Sequence, residues 1–354
     1  MKPTHVGLLV LLGMVSAGTA SADESTSISD DKGCPSDRAR QLGGHTFLFP
    51  VLQQSAFVTT NVGLREGLAR YTVPDLPVGR LGPQDVLITG VQQTLDLSLA
   101  FTDWLGIAGF ARGTVVTGTN GRSLLVNGAQ VELVGQAGAV VRVWRNDSSG
   151  TQVSVRGNFG YQQGKEVTVS PLVSAILDIP GSSLEDIVLG RLGDLILVPT
   201  KETSVQGGAY LAQALSRTFS LQASANGEYA WRERQPFDTG LGDRLTQKTH
   251  EARVNLTLAL EADFGPHGIP IGLLGEYLFT TGQESLTALP DRTLGAHTVA
   301  LGVYYTGRRS LQVGIGAVTT LSAEPRVGTA EDGTPLESGK PTLSYGQFIL
   351  RYIW

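Results

Sequence analysis

The stretch R-V-N-L-T-L-A-L-E-A-D-F at 253–264 sorts its residues by parity. Val254, Leu256, Leu258, Leu260, Ala262 and Phe264 fall on one side, and Arg253, Asn255, Thr257, Ala259, Glu261 and Asp263 on the other. Only an extended chain sends successive side chains to opposite faces, so this is a strand with one apolar and one polar face. The run L-D-L-S-L-A-F repeats the pattern, with Leu95, Leu97, Leu99 and Phe101 set against Asp96, Ser98 and Ala100. The same alternation reads through 153–161, 219–231, 271–279, 299–305 and 311–317.

Collected along the chain, these runs predict twelve strands. They lie at 55–73, 84–101, 105–118, 132–146, 151–165, 201–215, 218–234, 246–263, 269–284, 294–307, 310–323 and 342–354. In the run 201–215 either Tyr210 or Leu211 fits the outward face. Short connections at 102–104, 146–150, 216–217, 265–268 and 307–309 alternate with longer ones at 74–83, 119–131, 166–200, 235–245, 285–293 and 324–341. An even strand count with short turns at one end and long loops at the other is the pattern of a transmembrane up-and-down β-barrel. A secreted β-sandwich also alternates apolar and polar residues. It does not call for strands this long or for turns sorted by length.

Aromatic residues follow the same division. Phe101, Trp104, Trp144, Phe219, Phe264, Tyr304, Tyr305, Tyr352 and Trp354 fall beside short turns or in the last strand, and are expected to form one interfacial ring. Tyr71, Tyr161, Tyr229, Trp231 and Phe279 fall near the opposite strand ends and are expected to form a second. In Y-G-Q-F-I-L-R-Y-I-W, Phe348, Leu350, Tyr352 and Trp354 alternate with Gln347, Ile349, Arg351 and Ile353.

With these residues in view, the chain resembles the outer-membrane β-barrel proteins of Gram-negative bacteria over 55–354. The resemblance implies that the barrel-assembly machinery reads the closing strand at 346–354. A Gly five residues before the end is usual in that signal, and Ile349 stands there instead. The hairpin F-T-D-W-L-G-I-A-G-F (101–110) is similar to turns in transporters of the phenol-degradation type.

The first 22 residues have Lys2 as a positive head, an apolar run over 6–15 and the small-residue site Ala20-Ser21-Ala22. They read as a secretory signal peptide cleaved after Ala22, too short in its apolar core to span a bilayer. Cys34 is the one cysteine, so no internal disulfide is expected. Residues 23–54 begin acidic and serine-rich and turn apolar at Phe47, Leu48, Phe49 and Val51. The first part reads as disordered; the second is either a short periplasmic segment or a plug reaching inward. The balance of 27 basic and 32 acidic residues argues against a nucleic-acid partner.

In a barrel the polar faces turn inward, because an Arg or Lys against mid-bilayer lipid costs about 2–4 kcal/mol. The expected lumen-facing charges are Asp96, Arg112, Arg142, Arg156, Glu228, Arg232, Arg253, Glu261, Asp263, Glu276 and Arg351. Arg112, Arg142 and Arg156 fall on the third to fifth strands, and Glu228, Glu261 and Glu276 on the seventh to ninth. Either a basic wall faces an acidic wall and selects solutes by charge, or these groups pair and fill the lumen. In the long connection 170–199, Leu184, Ile187, Val188, Leu192 and Leu195 recur at helical spacing, behind Ser183 as a possible N-cap. This short helical external loop is either a lid over the barrel mouth or a small core that packs loops together.

Beyond residue 22 the chain has only His45, His250, His267 and His297, and no motif ties a Ser to any of them. Enzymatic activity is therefore not expected. No Cys/His spacing points to a metal and no glycine motif to a cofactor. The reading that results is an outer-membrane channel or facilitator for passive uptake of small solutes. Alternatives are a hydrophobic small-molecule transporter gated by 170–199, and a structural or adhesive barrel that presents loops such as 324–341.

Overall fold

The computed structural model describes residues 39–79, 83–118, 129–167, 197–235, 237–238, 243–286, 291–323, 327–330 and 335–354. The proposed leader at 1–22, the serine-rich lead at 23–38 and the lid residues Leu184, Ile187, Val188, Leu192 and Leu195 lie outside them.

Twelve long strands form the wall. They are β1 (Asn61–Gly79), β2 (Pro83–Ala100), β3 (Leu105–Gly118) and β4 (Ala129–Asn146). Next come β5 (Thr151–Val167), β6 (Leu197–Ala214), β7 (Phe219–Arg234) and β8 (Gln247–Asp263). The last four are β9 (Ile271–Leu286), β10 (Arg292–Tyr305), β11 (Leu311–Ala323) and β12 (Thr342–Ile353). Each pairs antiparallel with its neighbours in the chain. β1 pairs antiparallel with both β2 and β12, so the sheet closes on itself. Thus the protein is an all-β, up-and-down antiparallel barrel of twelve strands. Closure leaves no edge carrying unpaired N–H and C=O groups, the condition for a sheet in lipid.

Parity then assigns the faces. Along β8, Thr249, Glu251, Thr257, Ala259, Glu261 and Asp263 are buried inward, while Val254, Leu256, Leu258 and Leu260 are exposed outward. Leu95, Leu97 and Leu99 of β2 and Leu273 and Val303 of β9 and β10 are exposed likewise. Exposed Phe101, Trp104, Trp144, Phe219, Tyr305, Tyr352 and Trp354 cluster at the short-turn end. Phe264 is half-buried in the turn that carries the single 3-10 turn among the described residues, Gly265–His267.

Tyr304 departs from the expected ring. It points inward at 1% exposure, because Tyr305 takes the outward position of the pair. Its ring lies across the inner wall between two glycines. A Cβ on Gly314 would stand 2.4 Å from Tyr304 Cδ1, and one on Gly302 2.6 Å from Cε2. Tyr210 is also inward, at 3% exposure, which settles the face of β6.

Several boundaries differ from the sequence reading, those of β1 most of all. β1 starts at Asn61, because the strand-like run at 55–60 leaves the wall for the lumen. The β1–β2 pairing continues to Pro77 with Pro83, so most of the connection expected at 74–83 is strand. A register shift between Val73 and Leu76 surrounds Asp75, whose φ is 50°. In β4 a bulge between Arg142 and Trp144 turns both Val143 and Trp144 outward and brings Arg145 back inside. One extra residue in one strand has that effect.

The glycine seat of Tyr304 predicts unequal tolerance to the same substitution. Gly314→Val should destabilise the barrel by about 1–3 kcal/mol through overpacking. Gly157→Val, where a Cβ meets nothing within 4 Å, should leave it unchanged. Urea unfolding in lipid vesicles, followed by the heat-modifiable gel shift, checks the contrast.

Candidate functional site

The lumen is where the polar faces of all twelve strands converge, and residues 39–60 occupy its short-turn half. The segment begins with a two-residue hairpin, Gln41–Leu42 against His45–Thr46. Its turn residues Gly43 and Gly44 have φ of 55° and 79°. Positive φ at both positions is what a type I′ turn requires. The chain then runs across the lumen without strand pairing and enters β1 at Asn61.

Because residues 47–60 lack a ladder of their own, the wall must satisfy their backbone. Glu276 accepts from the amides of Val51 and Leu52, one per carboxylate oxygen, at 2.6 and 2.8 Å. Glu261 accepts from Leu48 N at 2.9 Å and Ser220 Oγ at 3.0 Å, and also from Gln222 Nε2. Gln222 donates to Leu48 O, and Gln312 accepts from Phe49 N. On the opposite wall Arg156 donates to Ser55 O at 2.5 Å, while Ser154 and Gln152 donate to Ala56 O. Near the rim, Arg40 donates to Arg309 O, Arg145 to Gln41 O, and His45 Nδ1 meets Arg217 O at 3.1 Å.

Apolar contacts complete the seat. Leu42, Phe47, Ala56 and Phe57 pack with Tyr210 and Ala212 of β6. Leu48 packs with Ala259, Leu274, Tyr304 and Ile349, and Val51 joins them. Phe49 lies under Arg351, whose guanidinium carbon is 4.3 Å from the ring centroid, a cation–π arrangement. Residues 39–60 thus lie inside the lumen as a plug held by its wall.

Above the plug is a chamber of about 380 Å³. Its floor is plug residues 49–55; its walls include Gln92, Gln136, Gln206, Asn226, Asn255, Tyr345 and Gln347. Four guanidiniums line it, from Arg65, Arg112, Arg156 and Arg351, against one carboxylate, Asp96. Asp96 accepts from Arg65 at 2.8 Å and from Arg351 at 2.9 Å. Toward the long-loop end lies an acid-rich cluster. Arg232 meets Glu202, Glu251 and Glu284 at 2.5, 3.2 and 3.6 Å. Arg253 meets Glu251, Glu202 and Glu228 at 2.9, 3.4 and 3.7 Å.

The expected basic and acidic walls thus separate by height. Arg112 faces the chamber, Arg156 holds the plug, and Arg142 lies at the rim. There Arg142 pairs with Asp103 at 2.5 Å, a hydrogen bond that holds this carboxyl below the usual carboxylate range. Of the three glutamates, Glu261 and Glu276 bind plug amides, whereas Glu228 belongs to the mouth cluster. Sequence reasoning missed Arg65, Glu202, Glu251 and Glu284. Arg65 was obscured because Glu66 beside it is also charged, so parity alone did not choose between them. The Gly43-Gly44 pair between Q-L and H-T was the available signal for the plug hairpin.

The histidines are committed elsewhere than to a serine. His45 lies 3.7 Å from Glu261, and His267 Nε2 is 2.9 Å from Thr218 Oγ1. His250 stacks on Tyr229, and His297 Nδ1 is 2.6 Å from Tyr277 OH.

No protein-family model matches the chain, and no curated protein matches it. Similar solved structures are outer-membrane barrels. An outer membrane channel from Pseudomonas putida F1 is 11% identical, with 84% of this chain and 96% of that chain covered and a TM-score of 0.48. The translocator domain of the autotransporter NalP from Neisseria meningitidis is 11% identical over 84% and 88%, with a TM-score of 0.49. The Pseudomonas putida toluene transporter TodX is 12% identical over 83% and 89%, with a TM-score of 0.36. The roles of these barrels belong to those proteins.

The Glu276 contact makes a direct prediction. Glu276→Gln leaves one acceptor oxygen for two amides, at a cost of about 1–3 kcal/mol. Hydrogen exchange at Val51 and Leu52 should quicken roughly tenfold to a hundredfold, while wall amides of β8 and β9 stay protected.

Proposed function

We propose that the protein is an outer-membrane channel for small polar solutes, closed toward the periplasm by residues 39–60. The observation that carries this reading is the plug itself. It fills the short-turn half of a lumen whose other half holds a polar chamber. Outer-membrane barrels place their short turns on the periplasmic side, which puts the chamber toward the cell exterior. The exposed leucines and the aromatic ring at the short-turn end support a membrane location.

The chamber favours hydrophilic solutes over hydrocarbons, because amides and guanidiniums outweigh the apolar side chains Leu97, Phe110 and Leu278 in its wall. Three positive charges in excess, from four Arg against Asp96, favour small anions among them. The mouth cluster sets four carboxylates against Arg232 and Arg253, so a solute meets an acidic zone before the basic chamber. Passage requires the plug to shift. Its ties are individual hydrogen bonds to side chains rather than a β-ladder, so they release one by one.

Planar-bilayer conductance tests the reading. The full chain should show rare, brief openings, and a variant lacking 39–57 should show long-lived discrete steps. Silence from that variant, shown to be folded by the gel shift, would favour a non-transporting barrel. In conducting protein, Arg112→Gln should move the reversal potential toward cation selectivity, and Glu228→Gln toward anion selectivity. Unchanged selectivity in both would remove the charge argument and leave the gate.

A further inference from the structure

The outer face of the barrel carries a polar pair where lipid is expected. Glu66 of β1 and Gln93 of β2 are direct cross-strand partners, both exposed, and Gln93 Nε2 donates to Glu66 Oε1 at 3.0 Å. Their surroundings are apolar. Leu68 precedes them toward the long-loop end at 71% exposure, Val91 and Leu95 flank Gln93, and Phe348 of β12 stands opposite Glu66. Tyr352, in the aromatic ring, is paired with Val62, four residues below Glu66 along β1. At about 3.3 Å per residue on a strand tilted by about 40°, Glu66 stands about 10 Å above that ring, well inside an apolar band about 25 Å tall. Other exposed charges of the described strands, among them Arg70, Asp75, Asp85, Lys201, Glu233 and Lys248, lie toward the long-loop ends.

The wall beside the pair is low, a feature it shares with the outward Gly157, Gly207 and Gly227 of β5–β7, where no polar pair stands. Gln93 is partnered across β3 by Gly113, where a Cβ would have only Leu133 Cδ2 for company at 3.7 Å. Ala111, Gly135 and Ala137 continue this low relief, and Gly346 of β12 has nothing within 4 Å of a Cβ. The far wall instead presents Leu256, Leu258, Leu260, Leu273 and Leu301. Small residues let two membrane proteins approach closely, and polar side chains hold them by hydrogen bonds that lipid cannot offer.

We infer that this face is the interface of a two-fold dimer of the chain, centred on Glu66 and Gln93. The hydrogen-bonding inventory selects a second copy as the occupant. A Gln amide has two N–H donors and a carboxylate about four acceptor positions. Gln93 uses one donor on its own Glu66, which leaves one for the Glu66 of the second copy. A two-fold axis satisfies both copies at once, as an isologous interface requires. A lipid tail offers neither donor nor acceptor, and a headgroup lies outside this band.

The test is the mass of the refolded chain in mild detergent, by sedimentation and by native mass spectrometry, beside a Glu66→Leu/Gln93→Leu variant. That variant removes polar groups from the lipid face and should fold at least as well. A dimer that shifts at least tenfold toward monomer in the variant is the expected result. In a Cys34→Ser background, Gly113→Cys should cross-link between copies with a short thiol reagent in vesicles, and Gly275→Cys on the far wall should not. A monomeric parent that does not cross-link through Gly113→Cys, or a dimer equally tight in the variant, would overturn the inference.

Discussion

Closure of β1 on β12 is the contact on which everything else in the structure depends. Inside a bilayer no water is present to hydrogen-bond a free strand edge, and each unsatisfied backbone group costs several kcal/mol. Twelve residues of β12 pair with β1 from Thr342 with Thr72 to Ile353 with Asn61. Once that seam is made, parity has one meaning everywhere: one face meets lipid and the other meets the lumen. Leucines of β2 and β8 and glutamates of β8 and β9 are sorted by the same geometric rule.

Closure also creates a problem that the plug solves. Twelve strands enclose more space than the wall side chains fill, yet Glu261 and Glu276 point into it with little exposure. A buried carboxylate is tolerable only with hydrogen-bond donors, and the plug supplies them as backbone amides. The plug in turn has unpaired amides and carbonyls because beyond its short hairpin it forms no ladder. The two deficits cancel: Glu276 takes Val51 and Leu52, and Arg156 and Ser154 take the carbonyls of Ser55 and Ala56. Neither wall nor plug is fully satisfied alone, so plug and lumen are one polar core wrapped around Phe47, Leu48 and Phe57.

The wall was legible in the sequence because its information is local. A period of two shows within six residues, and turn length shows between two such runs. β3 matched its expected bounds at 105–118, and every other strand except β1 and β6 lay within three residues of its expected bounds. The plug was not legible for the opposite reason. Its conformation is set by partners such as Glu276, more than two hundred residues away, and its run at 55–60 mimics a strand. Parity also gives the direction of a side chain and not its height. That is why Arg142 and Arg112, both inward by parity, serve a rim pair and a chamber wall respectively. Tyr304 failed in another way: two adjacent tyrosines near a turn both suit an interfacial ring, and parity admits only Tyr305.

The place where the period-two rule breaks most openly is Glu66, and the break has its own logic. In a water-soluble sheet an exposed Glu needs no explanation, whereas on a lipid face the environment offers it no partner. The structure gives it one partner in Gln93, and the surrounding glycines and alanines leave the wall flat beside it. The lumen follows the same rule, since buried polar groups there are answered by groups from a second segment of chain. On the outer face the answering groups come from a second chain, so one requirement, that polar groups removed from water find partners, accounts for both plug and interface.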